Sequence, residues 1–245
     1  MYSALVHISV AASMAAYVCL VFIPYLLVLL LPKARRGHCM RFLTLGLGWT
    51  AVHIGIRPFV KVLYFDEAAE QDFPGIYVCN HRSASDAFLM SLFGKEAVQI
   101  VNGWPMRLPF FGFNARMSEY IDSTKIAIED YPEVVRELLD KGVSVIAFPE
   151  GTRSESPVMN RFHSGIFHLA MELRVPVYPI CISGNEHFPD RRFRFHKTRA
   201  IHVKRLPPIM PEEYQKFPTA YVFKKRMHDM IQQECLNMDR TINTQ

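Results

Sequence analysis

Apolar and polar positions divide this 245-residue chain into two regimes. From Ala4 to Leu31 there is no Asp, Glu, Lys or Arg, and the run exceeds the ~20 residues a membrane-spanning helix needs. His7 and Pro24 are its only awkward members, and proline is tolerated in such helices. A second apolar stretch, Phe42 to Val60, carries Gly46, Gly48, His53, Gly55 and Arg57 and reads as an interfacial or re-entrant helix. Beyond it, short strand-like and helix-like segments alternate. Gly75 to Cys79 is a brief apolar run, and Gly142 to Phe148 reads as a buried strand behind a glycine helix stop. Asp130 to Gly142 predicts a helix, with Asp130 as cap, Pro132 in the first turn and Glu133 at the box position. Its Val134, Val135, Leu138 and Leu139 share a face. Ile166 to Leu173 predicts another helix and Val175 opens a strand, which Pro176 and Pro179 mark as an edge or a bulge. Tyr221 to Leu236 sets Phe223, Met227, Met230 and Ile231 at helical spacing, a core-packing pattern. The alternation predicts an α/β fold. One domain over residues 61–245, with a central mixed, largely parallel sheet flanked by helices, follows a membrane-associated helical anchor over residues 1–60.

Charge orients the anchor. Lys33, Arg35, Arg36 and Arg41 follow the first apolar run at once, so the positive-inside rule puts the C-terminal side in the cytoplasm. In a prokaryote that is the cytoplasmic face of the inner membrane. A cleaved signal peptide fits poorly, because the positive charges lie on the wrong side of the run. Between Phe188 and Leu206 there are seven Lys/Arg against one Asp, with His196 and His202 interleaved and His187 just ahead. Such a run suits anionic lipid headgroups, a phosphorylated thioester donor or an acidic carrier protein, or else is a solvated edge hairpin. No nucleic-acid motif accompanies it, and no nucleic-acid partner is expected. The five cysteines are scattered without a C-x-x-C pair, so neither a zinc ribbon nor a disulfide framework is indicated. Cys79 reads as a buried strand residue rather than a nucleophile.

The chemistry concentrates in Asn80-His81-Arg82-Ser83-Ala84-Ser85-Asp86, directly after an apolar run. Five residues within one helix would put His81 and Asp86 on different faces, whereas a strand–turn–helix lets them converge. Ser83 is the expected N-cap, with Asp86 three residues on in a capping-box pattern. Together His81 and Asp86 form a candidate catalytic pair: an imidazole able to take a proton and a carboxylate to hold its other nitrogen. No third ligand has metal-site spacing, so no metal is expected. The second segment, Phe148-Pro149-Glu150-Gly151-Thr152-Arg153-Ser154, follows a predicted strand. Pro149 ends the ladder, Gly151 permits a tight turn, and Glu150 and Arg153 project from one loop, as a substrate site or as a local surface pair.

Taken together, the two segments resemble the signature blocks N-H-x4-D and F-P-E-G-T-R-S of the 1-acyl-sn-glycerol-3-phosphate acyltransferase family. Val175-Pro176-Val177-Tyr178-Pro179-Ile180 resembles a later proline-bearing block, and the likeness covers roughly residues 55 to 210. It implies His81 as general base supported by Asp86, and Glu150, Gly151, Thr152 and Arg153 at the acceptor site. It also implies direct acyl transfer from acyl-CoA or an acyl carrier protein as co-substrate, with no bound cofactor, to a lyso-lipid in the membrane. The acceptor implied first is 1-acylglycerol-3-phosphate, giving phosphatidate. Two positions depart from the pattern. Ser123 stands where family members often have an Arg that holds the acceptor's phosphate, with Arg116 and Lys125 as nearby cations, and Arg161-Phe162-His163-Ser164-Gly165 replaces a segment that often carries Lys. Ser123 therefore keeps a second reading open: a lyso-amino-acid lipid or a lysophospholipid as acceptor. A non-catalytic lipid-binding protein is the third, opposed by the intact His81 and Asp86.

Overall fold

The computed structural model describes residues 1–70, 73–107 and 109–244. Its strands are β1 Lys61–Asp66, β2 Ile76–Cys79, β3 Ala97–Val101, β4 Ile121–Asp122, β5 Ser144–Ala147, β6 Val177–Ser183 and β7 Ala200–Arg205. They form one sheet in the order β1-β7-β6-β2-β5-β3-β4. The five strands from β6 to β4 are parallel, β7 runs antiparallel to β6, and β1 lies parallel to β7. Every residue of β2, β5 and β6 is buried, which explains why β2 and β5 read as short apolar runs rather than alternating ones. The mixed, mostly parallel sheet matches the expected class.

The helices are α1 Tyr2–Leu20, α2 Phe22–Leu29, α3 Lys33–Thr50, α4 Asp86–Leu89, α5 Pro109–Met117, α6 Tyr131–Asp140, α7 Gly165–Leu173, α8 Pro211–Tyr214 and α9 Ala220–Thr244. They cover both faces of the sheet. Tyr77 and Cys79 pack with Leu89 of α4 and Val6 of α1 on one face, while Ile76 and Val78 pack with Phe167 of α7 and Phe223 of α9 on the other. The chain leaves β2 through α4 toward β3, and leaves β5 through α7 toward β6, in opposite directions across the sheet. Adjacent strands whose connections diverge leave a crevice at their carboxyl ends, the place where open α/β sheets bind ligands.

Three local expectations change. The strand containing Pro179 lies in the middle of the sheet, not at an edge. The pairing of Ile180 with Arg205 puts Pro179 at the end of the β6–β7 ladder, where its carbonyl accepts from the Leu206 N–H (3.0 Å) and no donor is needed. The first apolar run is broken at Val21 into α1 and α2, because Pro24 has no N–H and its ring crowds the carbonyl four residues back. The second begins at Lys33, well before Phe42, and continues past Thr50 as a π-helical stretch, Ala51–Ile56. By length and composition, Tyr2–Leu20 and Arg35–Ile56 could each cross a membrane.

The N-terminal helices are also attached to the body. A Cβ on Gly55 would meet Val10 Cα at 2.9 Å, so the glycine allows α1 and the π-helical stretch to touch. Arg41 is not a free flanking charge: it is buried, bonded through Nε to Glu96 (2.7 Å) and through Nη1 to Glu119.

Candidate active site

Asn80 is the first residue past β2. Its amide Nδ2 donates to the Ile182 carbonyl (2.8 Å) and its Oδ1 accepts from the Ile182 N–H (2.7 Å), continuing the β2–β6 pairing through a side chain. His81 follows and is fixed on three sides. Its N–H donates to Glu150 Oε1 (2.6 Å), its carbonyl accepts from the Ser154 N–H (2.8 Å), and its ring lies against Phe148 with centroids 4.6 Å apart. Nδ1 stands 2.7 Å from Asp86 Oδ2. The His81 side chain is 22% exposed and that of Asp86 is sealed at 0%. Among the described residues none bonds His81 Nε2.

Asp86 opens α4 with four donors around it. Oδ2 accepts from the Arg82 N–H (2.8 Å), the Ser83 N–H (2.9 Å) and His81, while Oδ1 accepts from Asn185 Nδ2 (2.5 Å). A carboxylate accepting from Nδ1–H leaves the imidazole lone pair on Nε2. Ser83 is not the cap that its type predicts. The helix starts three residues later behind Ser85, and the Ser83 hydroxyl donates instead to the Pro189 carbonyl (2.8 Å). Half of the expected box survives, as the Asp86 side chain does accept the Ser83 N–H.

The second segment behaves differently from a surface turn. Glu150 is buried, and its Oε2 accepts from the Asn160 N–H (2.7 Å) while Oε1 holds His81. Burial pushes its carboxyl up to about 7, against the pull of the two N–H donors. It makes no pair with Arg153, whose guanidinium lies over the Phe193 ring (5.5 Å). Gly151 has φ +67, and a Cβ there would come within 3.3 Å of the His163 ring. Thr152 is exposed and accepts from Asn160 Nδ2 (3.4 Å) through its carbonyl. Thus His81, Asp86 and Glu150 form one bonded cluster, with Gly151, Thr152 and Arg153 along its rim.

Sequence reasoning missed three members. Arg82 is fully buried and grips Asp239 of α9 with both ends of its fork (Nη1–Oδ1 2.8 Å, Nη2–Oδ2 2.7 Å), with Glu186 at 3.3 Å. The Ser183 hydroxyl donates to the same aspartate. Asp239 lies eight residues after Ile231 and four after Cys235, on the apolar face of α9, and a carboxylate at that register was the available signal. Asn185, two residues beyond β6, lies at the same carboxyl end of the sheet as Asn80 and Glu150.

Cys79 is buried, and burial pushes its thiol well above the ordinary range, as expected of a packing residue. The basic run is partly spent inside the fold. Arg205 is buried and forked onto Asp66 (both contacts 2.8 Å), and Lys204 bridges Glu67 and Glu234. An open groove of about 480 Å³ runs beside Phe148 and Pro149, with Ser123, His163 and His168 on its walls. An apolar cavity of about 120 Å³ is lined by Ala87 and Phe88, next to Asp86, and by Leu45 and Gly48 of α3. Among the described residues, no three His, Cys, Asp or Glu are grouped to hold a metal ion.

Comparison with known proteins fits this geometry. A family model described as Acyltransferase matches residues 62–183. Human 1-acyl-sn-glycerol-3-phosphate acyltransferase alpha is 30% identical over 200 residues, covering 78% of this chain and 70% of its own. The coconut (Cocos nucifera) 1-acyl-sn-glycerol-3-phosphate acyltransferase is 35% identical over 147 residues, 58% of this chain and 47% of its own. The matched region thus spans about half the length of such plant relatives. The crystal structure of the 1-acyl-sn-glycerophosphate acyltransferase PlsC from Thermotoga maritima superposes with a TM-score of 0.71 at 22% identity, over 92% of this chain and 94% of that one, and shares its fold.

Proposed function

Because this chain belongs to the 1-acyl-sn-glycerol-3-phosphate acyltransferase family, we propose that it moves a fatty acyl group from a thioester to the free hydroxyl of a lyso-lipid. The acceptor favoured by the names of its relatives is 1-acylglycerol-3-phosphate, with phosphatidate as product. One observation carries the chemistry: His81 Nδ1 is held by a sealed Asp86 while Nε2 stays available.

In this reading His81 Nε2 takes the proton as the hydroxyl oxygen attacks the thioester carbonyl. The tetrahedral intermediate then expels the thiolate, which recovers the proton from His81. Asp86 stabilises the imidazolium between the two steps, help typically worth ~10²–10⁴ in rate. Glu150 acts through the backbone, fixing where His81 leaves β2. The donor is acyl-CoA or an acylated carrier protein, and no step uses a bound cofactor or metal. The apolar walls beside Asp86 suit the first few methylenes of an acyl chain, and the open groove suits entry of the second substrate.

The N-terminal helices serve as the membrane anchor in this proposal. Leu20, Leu27 and Leu30 are exposed, while α3 is tied along the body through Arg41, Thr44 and Gly48. A helix packed along the catalytic body does not also traverse the bilayer, so α3 lies along the membrane surface with exposed Lys33 and Arg35 toward the headgroups. Ser123, lining the groove without a charge, supports a second reading with a different lyso-lipid acceptor. Incubating the full chain in vesicles with labelled acyl thioester and a panel of lyso-acceptors tests both. Transfer to lysophosphatidate supports the first reading, transfer to other acceptors alone supports the second, and no transfer refutes both.

A further inference from the structure

Arg82 stands between His81 and Asp86 in the chain, and its backbone and side chain serve different partners. The backbone N–H is one of the donors on Asp86 Oδ2 (2.8 Å). The guanidinium is fully buried and ends on three other segments. Nη2 donates to the Pro157 carbonyl in the loop after β5 (3.2 Å), and Nη1 reaches Glu186 in the loop after β6 (3.3 Å). The fork as a whole closes on Asp239 of α9 (2.8 and 2.7 Å). A buried cation needs a counter-charge, and its shortest contacts fall on Asp239.

Asp239 is itself fixed. Met227, Ile231, Cys235 and Met238 of α9 pack with Ile76 and Val78 of β2 and Cys181 of β6, which sets the register of the helix on the sheet. The Ser183 hydroxyl, at the end of β6, donates to Asp239 Oδ1. Asp239 thus carries the position of α9 to the Arg82 guanidinium, and the Arg82 backbone carries it on to Asp86. The loop after β6 is drawn into the same knot, since Asn185, beside Glu186, donates to Asp86 Oδ1 (2.5 Å). Asp239 lies beyond residues 62–183, which the acyltransferase model matches, so the signature blocks do not include it. We propose that Asp239 is a positioning residue for acyl transfer: through the Arg82 fork it holds the turn over 81–86 in the geometry that sets His81 Nδ1 on Asp86. This rests on the acyl-transfer reading above. A displacement of about 1 Å caused from outside the reacting groups can cost ~10²-fold in rate, which is the leverage such a clamp has.

The test compares Asp239→Asn with Asp66→Asn in the full chain in vesicles. Asp66 makes the same kind of fork with buried Arg205 (both contacts 2.8 Å) on the β1 edge of the sheet, so its variant controls for lost stability. Both variants lower Tm. Asp239→Asn is expected to lower kcat roughly 10- to 100-fold, with KM for thioester and lysophosphatidate unchanged. Asp66→Asn keeps kcat within about twofold of wild type. Asp239→Glu, which retains the charge, recovers part of the loss. Arg82→Met combined with Asp239→Leu should bring Tm back toward wild type, because an apolar pair can replace a buried ion pair, yet leave kcat low. Recovery of kcat along with Tm in that double variant overturns the assignment, as do equal kcat losses in Asp239→Asn and Asp66→Asn or a change confined to KM. If Asp239→Asn does not fold, the double variant decides by the same two readings. Should wild type transfer to no acceptor, the acyl-transfer reading falls and hydrogen exchange of the Arg82 and Ser83 amides, the donors on Asp86, decides alone. Faster exchange there in Asp239→Asn than in Asp66→Asn then keeps the clamp, and equal exchange removes it.

Discussion

The carboxyl end of the sheet and the N-terminal helices meet opposite physical demands. At the first, Asn80, Arg82, Ser83, Asp86, Glu150 and Asn185 are all 3% exposed or less, and each is held by hydrogen bonds. A buried polar group costs stability unless bonded, so this region tolerates little change. At the second, Leu20, Leu27 and Leu30 are 79%, 59% and 82% exposed. Contiguous apolar surface of this kind marks an interaction site. The contrast teaches that one region fixes geometry and the other fixes location, so their substitutions fail in different assays.

That contrast can be broken at its strongest point with Asp86→Asn. An amide presents its nitrogen to donors that need an acceptor, so acyl transfer should fall ~10²–10⁴-fold while vesicle binding is unchanged. Initial rates and co-sedimentation measure the two together. Next is Asp239→Ala, which leaves the buried Arg82 with only Glu186 and a carbonyl. It should cost about 3 kcal/mol, the lower end for breaking a buried ion pair, measured by denaturant unfolding.

Glu150 sharpens the comparison through pH. Its carboxyl is raised to about 7 in the fold from an ordinary 4.5, so the unfolded chain ionises first. The stability tied to its protonated form is complete below about pH 4.5 and lost as pH rises through 7, by up to about 3 kcal/mol. Tm measured across that window should therefore fall more steeply in wild type than in Glu150→Gln, which cannot titrate. Parallel profiles would mean that Glu150 is already ionised at pH 5. The smallest effect on stability is expected from Leu27→Glu with Leu30→Glu. These exposed changes should shift unfolding by no more than ~0.5 kcal/mol yet weaken binding to vesicles.

What could be read in advance follows from the range of the interactions. His81 and Asp86 converge through a local turn, and the buried strands β2 and β5 announce themselves by uninterrupted apolar residues. The central place of β6 was hidden because Pro179 forbids a donor, and only the position of β7 makes that harmless. Arg82 and Asp239 are 157 positions apart, and Arg205 and Asp66 139 apart, so neither buried pair leaves a local trace. Glu150 read as a projecting charge, since nothing nearby in sequence announces that His81 N–H lies over it.

The account depends most on His81 acting as the base. Single-turnover acyl transfer by His81→Ala, in the full chain bound to vesicles with saturating lysophosphatidate and thioester, tests it directly. The rate should drop by at least ~10²-fold with Tm and vesicle binding retained. A folded, membrane-bound His81→Ala that transfers within tenfold of wild type would contradict the account.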